Sequence, residues 1–342
     1  MKLNQIAPSC VVARDGSVAN SPPHLFFCHF AASGFALSAL RSLRLCAGLF
    51  RFRLRLLAAL LMIAASAFAA DDSQRTGGPY VPTPQVVVDA MLRMANVGAS
   101  DFVIDLGSGD GVIVLTAATQ FKARGFGVDI DPELVKLSND TAKKRGVADR
   151  ARFLQQDVFK ADLGQATVLT LYLLPAMMID LRSKIFNELS PGARVVSHDY
   201  HFGGEWLADD ELTFDVPEKE MVTGVPTATV RLWVVPAKIA GTWSLKLPAG
   251  SGSDSYELTL RQYYKTVEGT AAMGGGRPAR LTQAALRGEE FSFAFPVEGK
   301  AQAARFTAKV RGDAMEGVAE LPDKRTVRFT GVRTAAGMVT TN

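Results

Sequence analysis

Apolar positions along the chain follow two rhythms, and the change from one to the other divides it. Short strand-like runs, several of them ending on an acid, come first: Phe102–Leu106, Gly125–Asp131, Ala151–Asp157, the apolar Val168–Leu174, and Arg194–Asp199. Between them, residues 112–122, 132–146 and 176–189 carry apolar side chains at helical spacing. A further helix is predicted from Thr83-Pro84 through Val97, with Thr83 as N-cap and Pro84 in its first turn. Strands alternating with helices describe a mostly parallel sheet covered on both faces. Two later runs, Glu220–Val222 and Ala228–Val235, are expected to add an antiparallel final pair, giving a seven-stranded α/β sandwich. From Lys238 the rhythm shortens to two. Trp243–Leu247, Tyr256–Leu260, Phe291–Phe295 and Phe306–Val310 alternate apolar and polar residues between glycine-rich or charged turns. That pattern predicts a smaller antiparallel β domain, barrel or sandwich.

The first 70 residues belong to neither rhythm. Arg51, Arg53 and Arg55 precede an uncharged stretch, Leu56 to Ala70, that ends in an Ala-Phe-Ala site at Ala67–Ala69. A basic region, a short apolar region and small residues at a cleavage site describe a secretory signal peptide. The stretch is short for a bilayer span, which needs about 20 residues. The expected division is therefore a leader over 1–70 with its apolar region at 56–70, an α/β domain over 71–237 and an all-β domain over 238–342. The signal peptide implies export across the inner membrane to the periplasm, or a membrane tether if the leader is not cleaved. Gly241-Thr242-Trp243, at the start of the β domain, resembles the opening of lipocalin-like barrels.

Charge and cysteine usage change meaning once the leader is set aside. The whole chain has a net charge of +4 over 342 residues, but seven Lys/Arg and only one acid lie in the leader. The rest is slightly acidic, which gives no nucleic-acid footprint. All three cysteines, Cys10, Cys28 and Cys46, also lie in the leader. The remainder is left without disulfides, cysteine-ligated zinc or a thiol nucleophile, and no metal site is expected.

The chemistry gathers where the first strand ends. Asp105 is followed by Gly107, Gly109 and Gly111 in GxGxG spacing. A dinucleotide fingerprint would be GxGxxG with a small residue at 112, and that position is Val112. Glycines let the backbone approach a ligand closely, and a neighbouring carboxylate can face a cationic amino-acid moiety. The second strand ends at Asp129, where a carboxylate suits a ribose of either S-adenosylmethionine (SAM) or NAD. The third ends at Asp157. Acids at three successive strand ends favour SAM, although Asp129 and Asp157 also suit helix caps.

With these residues in view, the chain resembles the class I SAM-dependent methyltransferases related to the mitochondrial lysine methyltransferases. Those enzymes act on the ATP synthase c-subunit and the adenine nucleotide translocase. The points of match are Pro79-Tyr80-Val81-Pro82, the Asp105–Gly111 loop, the segment Asp157–Asp162, and Pro175-Ala-Met-Met178. The resemblance implies a Rossmann-like SAM methyltransferase fold, SAM as cofactor and a protein lysine as acceptor. It implies Tyr80, Asp105, Gly107, Ser108, Gly109, Gly111, Asp129, Ile130, Asp157 and Val158 as cofactor-binding residues. Ligands of such folds sit at the carboxyl ends of the strands. Asp199, ending strand five, is thus the candidate carboxylate for deprotonating an acceptor amine. Tyr172, ending strand four, is the candidate to orient the amine or face its cation. His198 and Asp199 also suit a capping role, and Tyr172 suits a core. A protein acceptor is expected, membrane-associated if the leader stays attached. Two other readings remain: an exported binding module without turnover, and a nicotinamide oxidoreductase, which Val112 disfavours.

Overall fold

The computed structural model describes residues 78–248 and 255–341; the leader, with its expected signal peptide, lies outside these described residues. The helices are α1 (Gln85–Met94), α2 (Val112–Gln120), α3 (Pro132–Lys144), α4 (Pro175–Glu188) and α5 (Pro217–Thr223). The first seven strands are β1 (Phe102–Leu106), β2 (Arg124–Asp129), β3 (Ala151–Gln155), β4 (Val168–Leu171), β5 (Arg194–His198), β6 (Asp210–Asp215) and β7 (Thr227–Val234). They form one sheet in the order β3-β2-β1-β4-β5-β7-β6. β1 to β5 run parallel, whereas β7 is antiparallel to both β5 and β6. Strand order reverses between β1 and β4, and at such a switch point the loops part and leave a crevice at the strands' carboxyl ends.

Burial explains why the helices sit where they do. α1 sends Val87, Val88, Met91 and Leu92 into one face of the sheet, against Val103, Val168, Val196 and Val230. α4 packs Met178, Leu181, Ile185 and Phe186 onto the other, against Ile104, Leu169, Val195 and Trp233. Truncating a fully buried residue such as Met91 to alanine costs about 2–5 kcal/mol. α3 starts where Asp131 accepts hydrogen bonds from the Glu133 and Leu134 amides, beside Pro132.

Three expectations need correction. The helix predicted from Thr83 begins at Gln85; Pro84 takes the cap position in an extended conformation and no side chain caps it. It stops at Met94 because Asn96 turns left-handed (φ +48°), so that the Val97 amide reaches back to the Leu92 carbonyl. β4 ends at Leu171, three residues early, releasing Tyr172, Leu173 and Leu174 into a loop before Pro175. Glu220–Val222 is not a strand: it lies in α5, which opens on Pro217 with Glu218 and Glu220 in its first turn and closes on left-handed Gly224. The partner of β7 is β6, a mostly exposed strand whose charged residues hid it.

The second sheet holds β8 (Gly241–Lys246), β9 (Ser255–Tyr263), β10 (Thr266–Met273), β11 (Ala279–Arg280), β12 (Thr282–Arg287), β13 (Glu290–Pro296), β14 (Ala303–Arg311), β15 (Ala314–Glu320), β16 (Thr326–Ala336) and β17 (Val339–Thr340). It is an antiparallel meander in which β8 pairs with β16, so the sheet curls into a nearly closed barrel. β17 pairs parallel with the end of β9. Inward residues fill the barrel, with Phe293 and Phe306 stacked at 4.9 Å. Trp243 is buried; its indole donates to the Ile239 carbonyl, and Arg333 lies 4.6 Å over its ring.

Candidate functional site

A cavity of about 620 Å³ opens at the carboxyl ends of β1 to β5. Its floor is the turn after β1. The Gly107 and Ser108 amides share the Val128 carbonyl at 2.9 Å, tying the turn to β2. Gly109 has φ +53°, and a Cβ there would stand 2.4 Å from Cε2 of Tyr80. Only glycine leaves this passage both relaxed and open. Asp129 then fixes the turn from the side: one carboxylate oxygen accepts the Gly109 amide (2.8 Å) and the other the Asp131 amide (3.0 Å).

Nine of the cofactor-binding residues expected from sequence line this cavity, with Tyr172 as a tenth expected residue: Tyr80, Asp105, Gly107, Ser108, Gly109, Asp129, Ile130, Asp157 and Val158. Gly111 does not line it. It sits in the N-cap position of α2 at φ +79°, where a Cβ would meet Phe153 and Ser138, so its task is close packing. Asp157 accepts the Phe159 amide at 2.9 Å and so opens a short 3-10 turn while facing the cavity, combining a cap with a place on the wall.

Asp199 is also absent from the cavity wall. It has left-handed backbone (φ +62°). Its carboxylate pairs with buried Lys219 of α5 and accepts the Thr229 amide at 3.0 Å. Its own amide donates to the Thr229 carbonyl at 2.6 Å, and its carbonyl accepts from Arg231. Off the cavity wall and paired with the Lys219 cation, this carboxylate fixes the chain after β5, which corrects the expectation of a base facing the acceptor here. The residue presented to the cavity from this segment is its neighbour Tyr200, stacked 6.1 Å from Tyr172. Sequence reasoning passed over Tyr200; its place just beyond a strand end was the available signal. Asp110, inside the glycine loop, was passed over in the same way.

Burial sets the electrostatics. Asp105 is wholly buried, and among the described residues only the Thr170 hydroxyl donates to it (2.7 Å). Desolvation, opposed by that hydrogen bond and reinforced by Asp129 and Asp110, pushes its carboxyl up to about 7. Burial first, then Asp110, raises the Tyr80 phenol to about 12. Burial and Asp199 do the same to Tyr172. His198 lies beneath Tyr172, ring centroids 4.0 Å apart, with neither ring nitrogen hydrogen-bonded among the described residues. Its burial pushes it down to about 4, so it is neutral at physiological pH.

The site fits a nucleoside carrying an amino-acid arm. The glycine turn keeps its floor bare, Ser108 Oγ is buried with no hydrogen-bond partner among the described residues, and acids stand at three strand ends. The fold and site define a class I SAM-dependent methyltransferase. A family model for the ANTKMT methyltransferase domain matches residues 105–209. A protein-lysine N-methyltransferase of Saccharolobus islandicus is 42% identical over 127 residues, 37% of this chain and 79% of that protein. The chain therefore belongs to the same family of SAM-dependent methyltransferases as the S. islandicus protein, and SAM is its cofactor. The ATP synthase c-subunit lysine N-methyltransferase of Xenopus laevis is 33% identical over 44% of this chain. This chain spans 65% of that relative's length. Among solved structures, an RNA methyltransferase from Salinibacter ruber in complex with S-adenosyl-L-homocysteine is 48% identical, over 46% of this chain and 96% of that one, with a TM-score of 0.42.

Proposed function

We propose that this chain methylates a lysine side chain of a protein. In this reading Asp105 faces the ammonium group of the SAM amino-acid arm and Asp129 accepts the ribose hydroxyls. Asp157 accepts the adenine amine, and Ile130 and Val158 flank the adenine ring. Bound there, SAM would supply an electrophilic methyl group on a sulfonium, to be taken up by an amine lone pair as the C–S electron pair stays with sulfur.

The observation that carries the lysine reading is the character of the opposite wall. Among the described residues, the carboxylates lining the cavity, Asp105, Asp110, Asp129, Asp131 and Asp157, all come from the β1 to β3 side. The β4 and β5 side presents Tyr172, Leu173, Leu174, Met177 and Tyr200. Releasing a proton from a lysine at pH 7 costs about 4–5 kcal/mol from an ordinary pKa near 10.4. An apolar and aromatic wall shifts that balance by desolvating the ammonium form, with no base required beside it. The Tyr172 and Tyr200 rings orient the incoming side chain, and alignment of nitrogen with methyl supplies much of the remaining rate. The S. islandicus relative, named for the same reaction, supports this acceptor class.

The test incubates the full chain with radiolabelled SAM and separate protein and RNA fractions of a cell extract, then hydrolyses the labelled product. Methyl-lysine is expected, lost in Tyr172→Ala and retained in Tyr172→Phe. Label in RNA, or in another amino acid, overturns the lysine reading. We further propose that the leader carries the enzyme across the inner membrane, to act in the periplasm or tethered to the membrane near its acceptor. Cell fractionation with a C-terminal tag tests this, and a cytosolic enzyme would refute it.

A further inference from the structure

The hairpin joining β9 to β10 leaves the barrel and enters the core of the first sheet. Its turn is two residues long, Tyr264-Lys265, with Tyr263 paired to Thr266. Tyr264 takes φ +47°, a conformation for which such turns ordinarily use glycine or asparagine. Its ring is nevertheless fully buried outside its own sheet. It stacks on Trp206 at 5.1 Å and meets Phe186 edge-on at 5.2 Å. The Arg182 guanidinium lies 5.2 Å over it, while donating to the Phe202 carbonyl at 2.9 Å and pairing with Glu205. Lys265 adds hydrogen bonds to the Ala208 carbonyl and to Asp209, both at 2.9 Å.

Phe202, Glu205, Trp206, Ala208 and Asp209 share one property: all lie in the segment between β5 and β6 that presents Tyr200 to the cavity. A hairpin needing only to reverse direction would place glycine at 264. Unfavourable backbone kept for the sake of a side chain's contacts points to a role for those contacts. We propose that Tyr264 and Lys265 are positioning residues for methyl transfer: the barrel clamps segment 200–209 and thereby sets Tyr200 on the acceptor wall. This gives the β domain a part in a reaction it does not touch, and it rests on reading Tyr172 and Tyr200 as the acceptor side.

The test compares the full chain with Tyr264→Gly, which removes the ring and relaxes the turn, and with Tyr264→Phe, which keeps the ring. Three quantities are read: amide exchange across residues 200–209, S-adenosylhomocysteine affinity by calorimetry, and KM and kcat for methyl transfer to poly-L-lysine. Tyr264→Gly should speed exchange in that segment roughly tenfold or more. It should raise KM for polylysine while leaving S-adenosylhomocysteine affinity within about twofold, since among the described residues no ring contact or side-chain hydrogen bond of Tyr264 or Lys265 reaches a cofactor-side residue. Tyr264→Phe should restore wild-type behaviour. Unchanged exchange over 200–209 overturns the proposal, and so does a cofactor affinity that falls in step with exchange. If exchange responds as expected but the wild-type chain methylates no lysine, the clamp stands and the lysine reading falls.

Discussion

Replacing Asp105 with asparagine should stabilise the unliganded protein at neutral pH while weakening its hold on cofactor. The buried carboxyl titrates near 7 in the folded chain, against an ordinary value of 3.8. Between those limits the folded chain holds a proton that the unfolded chain has released. Unfolding free energy therefore falls by about 1.4 kcal/mol for each pH unit. The contribution of Asp105 is fully present below about pH 4 and is lost by about pH 7, a total of about 4 kcal/mol. Asparagine keeps a carbonyl oxygen to accept the Thr170 hydroxyl and carries no charge to desolvate. Asp105→Asn should thus match the wild type near pH 4 and exceed it in stability by about 4 kcal/mol above pH 7. Urea unfolding of both chains at intervals from about pH 5 to pH 8, without ligand, measures the difference. S-Adenosylhomocysteine affinity should behave oppositely: it rises with pH through 7 in the wild type, is weaker in the variant, and lacks that pH dependence there. A stability difference that stays flat with pH would refute the argument, because it would mean that Asp105 is not a desolvated carboxyl.

Three further outcomes follow from named contacts. Asp129→Asn replaces one of the oxygens that accept the Gly109 and Asp131 amides with an amide group; calorimetry should show S-adenosylhomocysteine affinity weaker by about 10–100-fold, since a hydrogen bond to a charged group is worth about 1.5–3 kcal/mol. Gly109→Ala puts a methyl 2.4 Å from Tyr80 at left-handed φ; it should abolish tight cofactor binding, with part of the loss recovered when combined with Tyr80→Ala. Lys219→Met leaves the carboxylate of Asp199 without its cation; thermal or urea unfolding should register a loss of about 3 kcal/mol, eased in the double variant with Asp199→Asn.

The glycine turn and the acids beside it were legible because their requirements are local. A strand end, left-handed backbone and a carboxylate two residues before the first glycine all lie within ten residues. Period-two alternation located the barrel strands that carry Trp243, Phe291, Phe295 and Phe306 for the same reason. Glu220–Val222 failed as a strand because a three-residue segment with two apolar side chains has no period, and Pro217 with two acids decides for a helix. For Asp199 both a base and a cap stayed open in the sequence, because the partners that decide, Lys219 and Thr229, lie 20 and 30 residues away.

The sequence by itself determined which backbone can turn sharply beneath a ligand, which residues face a core and where one sheet gives way to another. These properties reside in single residues and their near neighbours. Tertiary structure alone decided which polar groups are left to act. It committed Asp199 to an ion pair, turned Tyr200 into the cavity and drove Tyr264 from one sheet into the core of another. Burial and partnership depend on what distant segments bring within a few ångströms, and no local pattern records that.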